Sequence, residues 1–197
     1  MIAEAVCGAE YICTHDWMVV KNAGDDQSVG WHQDFVHDGV CSVINIGIHL
    51  DDAIEDAVRF LPGARSGAED IAVCAKQFDM NSPEVTPAQV SAGGITVHDV
   101  LLVHGSPKLE RQKQRKTLYL EFRPLAMLQG HPTIKPEYIA LRRKLYDLAG
   151  DSYHRLSNSA FDATDSVVIE QLPELLERLL QYRGVIEPAN YGSHGGY

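Results

Sequence analysis

The chain of 197 residues is short of positive charge, with 17 Lys and Arg against 27 Asp and Glu, a formal net charge of −10. That deficit excludes a sequence-independent grip on nucleic-acid phosphates, which needs clustered cations. Long apolar runs are lacking as well: no stretch approaches the roughly eighteen consecutive apolar residues of a membrane span. Met1 to Cys7 has no basic region and is interrupted by Glu4, so it does not read as a signal peptide. Cysteine is sparse, with Cys7, Cys13, Cys41 and Cys74 in no Cys-x-x-Cys spacing. Reduced thiols in a cytoplasmic protein are the expectation. No internal repeat is visible. A hydrophobic content of 45% and a charged content of 22% are ordinary for a globular protein, and the length fits one domain, 1–197.

Against this plain background one short run carries chemistry. Trp31 to Val36 reads as a strand, preceded by Gly30 and followed by the turn signal Asp38-Gly39. Within it His32 and Asp34 sit two apart, which on a strand puts an imidazole and a carboxylate on one surface. Two ligands hold a divalent metal weakly, so a third is required. The apolar run Val100 to Val103 delivers a candidate, His104, at its end. Should His104 join His32 and Asp34, two histidines and a carboxylate form the facial triad of non-haem Fe(II) oxygenases, with three positions open for an α-keto acid and O₂. Ser106 lies two beyond His104 and offers a hydroxyl. The run 115–123 alternates strictly: Leu118, Leu120 and Phe122 take one face, and Arg115, Thr117, Tyr119, Glu121 and Arg123 the other. A guanidinium matches a carboxylate bidentately, so Arg115 is the natural anchor for the far carboxylate of a dicarboxylate cosubstrate.

Trp31-His32-Gln33-Asp34, Leu61-Pro62-Gly63, His104-Gly105-Ser106, Arg115 and Leu118 to Arg123 together resemble the phytanoyl-CoA dioxygenase family over about residues 15 to 124. The resemblance implies a mainly β fold, a double-stranded β-helix or jelly roll, and Fe(II)- and 2-oxoglutarate-dependent oxygenase activity with O₂. It implies iron on His32, Asp34 and His104, and 2-oxoglutarate on Arg115 and Ser106. In similar halogenases the carboxylate position is small and admits chloride; Asp34 fills it here, which implies hydroxylation of a small molecule. The chain departs from the family pattern at Ala64-Arg65, after Pro62-Gly63, and at Gly93-Gly94.

The remaining readings are coarser. Trp17 to Lys21 is expected as a strand with Lys21 snorkelling to solvent. Val40 to Leu50 is expected as a long strand whose polar face carries Asn45 and His49, and Asp51 to Asp56 as a solvated turn. Ala57 to Leu61 is the next strand, and Val90 to Val97 and Val100 to Val103 lead to His104. With the apolar face of 115–123 turned to covering helices, Tyr119, Glu121 and Arg123 face the cavity as substrate candidates, joined by Asn45, by His98 as a pocket residue and by His37. The basic loop 107–114 is solvated by default. Helices are expected over Pro136 to Ala149, stopped at Gly150, and Pro173 to Arg183, with Leu175, Leu176, Leu179 and Leu180 as a buried stripe. They form a mostly C-terminal cover over about 125–185, before a Gly-rich tail at 190–197. Two other functions use the same three ligands: a Zn(II) hydrolase, which gives Arg115 and Ser106 no task, and a non-catalytic metal-binding jelly-roll module.

Overall fold

A computed structural model describes residues 2–8, 10–22, 28–35, 42–63, 67–109, 114–158 and 166–182. His37, residues 110–113 of the basic loop and the Gly-rich tail lie outside them. Among the described residues eight strands form two antiparallel four-stranded sheets. The larger has the order β1 (Tyr11–Lys21), β8 (Arg115–Pro124), β3 (Ile44–His49), β6 (Ile95–Asp99). The smaller has the order β2 (Val29–His32), β7 (His104–Ser106), β4 (Arg59–Phe60), β5 (Thr86–Pro87). Consecutive strands thus alternate between sheets in part, as in a jelly roll.

Strict alternation fixes which face of the larger sheet looks inward. Arg115, Thr117, Tyr119, Glu121 and Arg123 are all buried, while Met18, Val20, Ile95 and Val97 on the opposite face are exposed. A register irregularity between Cys13 and His15 in β1 behaves as a bulge, turning Thr14 and His15 together onto Glu121. Helix α3 (Pro136–Asn158) secures that irregularity: Tyr138 donates to the carbonyl of Thr14, and Arg142 donates to that of Cys13 while pairing with Asp16.

The smaller sheet is held from outside by α2 (Gly67–Gln77). Trp31 points away from the site into a cluster with Leu61, Ile71, Cys74, Val85 and Val103, and its indole N–H donates to the carbonyl of Phe78. Because neighbours along a strand point oppositely, burying Trp31 there turns His32 the other way, into the site.

Several expected boundaries move. Ile2–Cys7 form α1, and β1 begins at Tyr11, well before Trp17. The strand expected to Val36 ends at His32, the long strand from Val40 begins at Ile44, and the approach to His104 is made by β6 from Ile95 and by a non-strand run from Val100 to Val103. Between β4 and β5 the chain forms helix α2, with Ile71 and Cys74 on its buried side. Gly150 does not stop α3, which runs on for two more turns; a single Gly costs a helix only about 1 kcal/mol. α4 (Ser166–Leu180) contains Pro173 instead of starting there, and of its stripe Leu175 is buried while Leu176 and Leu180 are exposed. No helix among the described residues is long and apolar enough to cross a membrane.

Candidate metal centre

Pairing between β2 and β7 sets His32 directly opposite His104. The two rings stand 4.2 Å apart between centroids. Asp34, just past the end of β2, is returned to the same point because its N–H donates to the carbonyl of Val100 at 3.1 Å. Nitrogens of His32 and His104 and a carboxylate oxygen of Asp34 all lie within 4.8 Å of one another. Asp34 Oδ1 is 3.6 Å from His104 Nε2 and 4.0 Å from His32 Nε2.

The backbone also chooses the imidazole tautomers. His32 Nδ1 lies 2.9 Å from the carbonyl of Gly30, and His104 Nδ1 lies 2.8 Å from that of Leu102. A carbonyl only accepts, so each Nδ1 carries the proton and each Nε2 presents a lone pair toward Asp34. Burial pushes the His104 pKa down to about 3 and lowers that of His32. Burial works to raise the Asp34 pKa, but His104, His98 and His32 outweigh it and hold the carboxyl at about 2. At neutral pH the set is therefore two neutral imidazoles and one carboxylate, the protonation state a divalent metal requires.

Close pairing of strands within each sheet depends on glycine. A Cβ on Gly105 would lie 2.8 Å from the carbonyl oxygen of Val29, closing the space through which β2 and β7 pair. A Cβ on Gly47 would lie 2.8 Å from the ring of Tyr119, its cross-strand partner. Glycine there lets that ring lie across the inner face and stack on Trp17, with centroids 5.5 Å apart.

Beside the three ligands is a cavity of about 90 Å³ bounded by Trp17, Ser106, Arg115, Tyr119, His98 and Asn45, among others. Arg115 and Ser106 are thus brought to the metal ligands. Burial pushes the Tyr119 pKa up to about 12, so it lines the cavity as a neutral phenol. Lys21, expected at the surface, is 6% exposed. It sits opposite Arg115 across the β1–β8 ladder and donates from Nζ to the carbonyl of Pro107, next to Ser106. Burial, then the charge of Arg115, lowers its pKa to about 8.

Asp56 is the second departure. The acidic run 51–56 reads as a solvated turn, yet Asp56 is buried, its Oδ2 3.3 Å from Arg115 Nε and its carbonyl accepting from Nη1. No periodicity marks a loop residue whose partner is fixed only by tertiary packing. Arg123 is a correction too. It does not line the cavity; its guanidinium donates to Glu121 at 2.7 Å and lies 4.1 Å from the centre of the Phe35 ring. Thr14, His15 and Arg123 all converge on Glu121; burial works to raise its pKa, but hydrogen bonds and charge from His15 and Arg123 bring it down to about 2. His49 donates to or accepts from Thr96 at 3.3 Å on the same inner face.

Two antiparallel sheets enclosing a His, Asp, His set define the class: a jelly-roll oxygenase fold with a two-histidine, one-carboxylate metal centre. The chain belongs to the phytanoyl-CoA dioxygenase family, whose model matches residues 2–117. Fe(II), 2-oxoglutarate and O₂ are the cofactors of that family, and the neutral imidazoles and ionised carboxylate fit the metal. Among solved structures the chain is similar to AviO1 from Streptomyces viridochromogenes, at 29% identity and a TM-score of 0.54 over 68% of this chain and 57% of that one. It is also similar to EvdMO1, at 27% identity and a TM-score of 0.52, over 62% of this chain and 29% of that one. HygX from Streptomyces hygroscopicus, solved with nickel and 2-oxoglutarate bound, shares the fold at 12% identity and a TM-score of 0.51 over 62% of this chain and 60% of that one. The chain thus spans less than two thirds of the length of these neighbours. A search of curated protein sequences finds no match.

Proposed function

We propose that this chain is an Fe(II)- and 2-oxoglutarate-dependent dioxygenase that hydroxylates an unactivated C–H bond of a small molecule. The observation that carries the reading is the convergence of His32, Asp34 and His104 within 4.8 Å beside a cavity that also holds Arg115 and Ser106. Bound iron with 2-oxoglutarate and O₂ supplies the oxidising chemistry, decarboxylation coupled to hydroxylation, and the protein's part is placement. His32 and His104 present Nε2 lone pairs because their Nδ1 protons are held by Gly30 and Leu102. Asp34 supplies the negative charge.

Arg115 and the Ser106 hydroxyl hold the far carboxylate of the cosubstrate, and Lys21 adds a second cation at that end. Asp56 keeps the Arg115 guanidinium in place and offsets part of this charge, leaving the cluster net positive. The stacked pair Trp17 and Tyr119 forms the apolar wall against which a substrate can rest. A Zn(II) hydrolase gives the guanidinium and hydroxyl that line this cavity no task.

Release of succinate from 2-oxoglutarate, measured over a panel of small molecules, tests the assignment. Arg115→Ala is expected to raise the 2-oxoglutarate requirement by at least tenfold with metal affinity retained; an unchanged requirement removes Arg115 from that role. Bound iron without any succinate above background across the panel contradicts the enzyme reading and favours a metal-binding module.

A further inference from the structure

The two oxygens of Asp34 face different surroundings. Oδ1 looks toward Nε2 of both ligand histidines. Oδ2 accepts a hydrogen bond from Asn45 Nδ2 at 2.7 Å and lies 3.5 Å from His98 Nε2. Asn45 and His98 are direct cross-strand partners on β3 and β6, so the larger sheet presents both to one oxygen. Each is buried, 1% and 6% exposed, and neither Asn45 Oδ1 nor either ring nitrogen of His98 has a hydrogen-bond partner among the described residues. Asn45 thus leaves one amide atom unsatisfied while the other serves Asp34, an arrangement that packing alone does not call for.

Resting on the metal centre proposed above, we infer that Asn45 is a positioning residue: it holds Asp34 Oδ2, with His98 beside it, so that Asp34 offers a metal Oδ1 alone. The consequence is a matter of coordination number. A carboxylate free to rotate can bind through both oxygens and fill one of the three positions that a chelating keto acid and O₂ need. A carboxylate with one oxygen tied to the sheet cannot, and its remaining oxygen is aimed before the metal arrives. His98 is neither a fourth ligand nor a substrate contact in this assignment. Its nearest acidic neighbour is the oxygen turned away from the histidine pair.

Calorimetric titration of the metal-free protein with Co(II) tests this without turnover. Asn45→Ala is expected to weaken Co(II) about 10- to 100-fold, the range seen when an outer partner of a ligand is removed. In an Asp34→Ala background the same substitution is expected to change Co(II) affinity less than twofold, because Asn45 acts only through Asp34. The melting temperature of metal-free Asn45→Ala serves to separate misfolding from lost positioning. His98→Phe should weaken Co(II) less than Asn45→Ala. Equal losses from Asn45→Ala in both backgrounds, or no loss in the native one, overturn the inference. So does a His98→Phe loss matching that of His32→Ala, which makes His98 a ligand. Native protein that binds no Co(II) overturns the metal centre itself and this inference with it, an outcome distinct from the others.

Discussion

The two faces of the larger sheet invert the usual rule of apolar inside and polar outside. The inner face carries Lys21, Asn45, His98, Arg115, Tyr119, Glu121 and Arg123, all buried. The outer face carries Met18 and Ile95 at 49% and 46% exposure, with Val20 and Val97 close behind. Helix α1 and Tyr146 of α3 cover only the end near Ile44, Leu120 and Phe122. Exposed apolar residues are common on any protein, so the informative side is the inner one. A buried charge is costly unless paired, and here the charges are paired in two groups with different consequences. Around Glu121 the network of Thr14, His15 and Arg123 closes on one carboxylate and does not border the cavity. Around Asp34 and Arg115 it borders a cavity: Lys21 and Arg115 balance Asp34 and Asp56, and the two cations stand together at the Ser106 end.

Breaking the closed group should give the largest effect on stability. Glu121→Ala leaves Arg123 buried without its carboxylate and is expected to cost about 3–5 kcal/mol in chemical denaturation. Replacing both, Glu121→Leu with Arg123→Met, should recover most of that loss, since neither charge then remains unpaired. Additive losses in the double variant contradict the closed-group account.

Acid sharpens the same contrast. His104 stays neutral in the fold down to about 3, against an ordinary 6.5, so the unfolded chain takes up its proton first. Stability of the metal-free protein should therefore be intact above about 6.5 and decline as pH falls through that window toward 3. A second decline follows as Glu121, ordinarily near 4.5 and held at about 2, resists protonation in the fold. Repeating the pH series in His104→Phe should shrink the upper part of the decline, the remainder belonging to His32 and His49, whose burial also lowers their pKa values.

The outer face should give the smallest effect. Val97→Lys is expected to change stability by no more than about 0.5 kcal/mol, as surface substitutions do, and to leave Co(II) affinity unchanged. A loss of several kcal/mol in the isolated chain would show that this face is packed rather than open.

Legibility in the sequence followed locality. The inward face of β8 was readable because five polar residues alternate with apolar ones, and alternation is a property of the backbone itself. The His32 and Asp34 pair and the arrival of His104 were readable from spacing and from motif order. The length of the metal strand was not: Asp34 reaches the site through a hydrogen bond to Val100, sixty-six residues on, instead of through strand geometry. Asp56 and Lys21 were misplaced toward solvent for the same reason, because both are buried by partners that only the β1–β8 pairing and the 51–56 turn bring near. Asn45 and His98 stood out as polar residues on inward strand positions, but their shared oxygen on Asp34 depends on the register between β3 and β6. Pro173 and Gly150 misled through local propensity, which packing of α3 and α4 around Ile12, Tyr138 and Leu179 overrides.

Anaerobic addition of Fe(II) and then 2-oxoglutarate to the native chain tests the central claim most directly. Three convergent ligands with Arg115 and Ser106 behind them predict the weak visible charge-transfer absorption of a keto acid chelated to iron, present in the native chain and absent in Asp34→Ala. No such band in native protein that has bound one iron per chain, or an equal band in Asp34→Ala, would contradict the account.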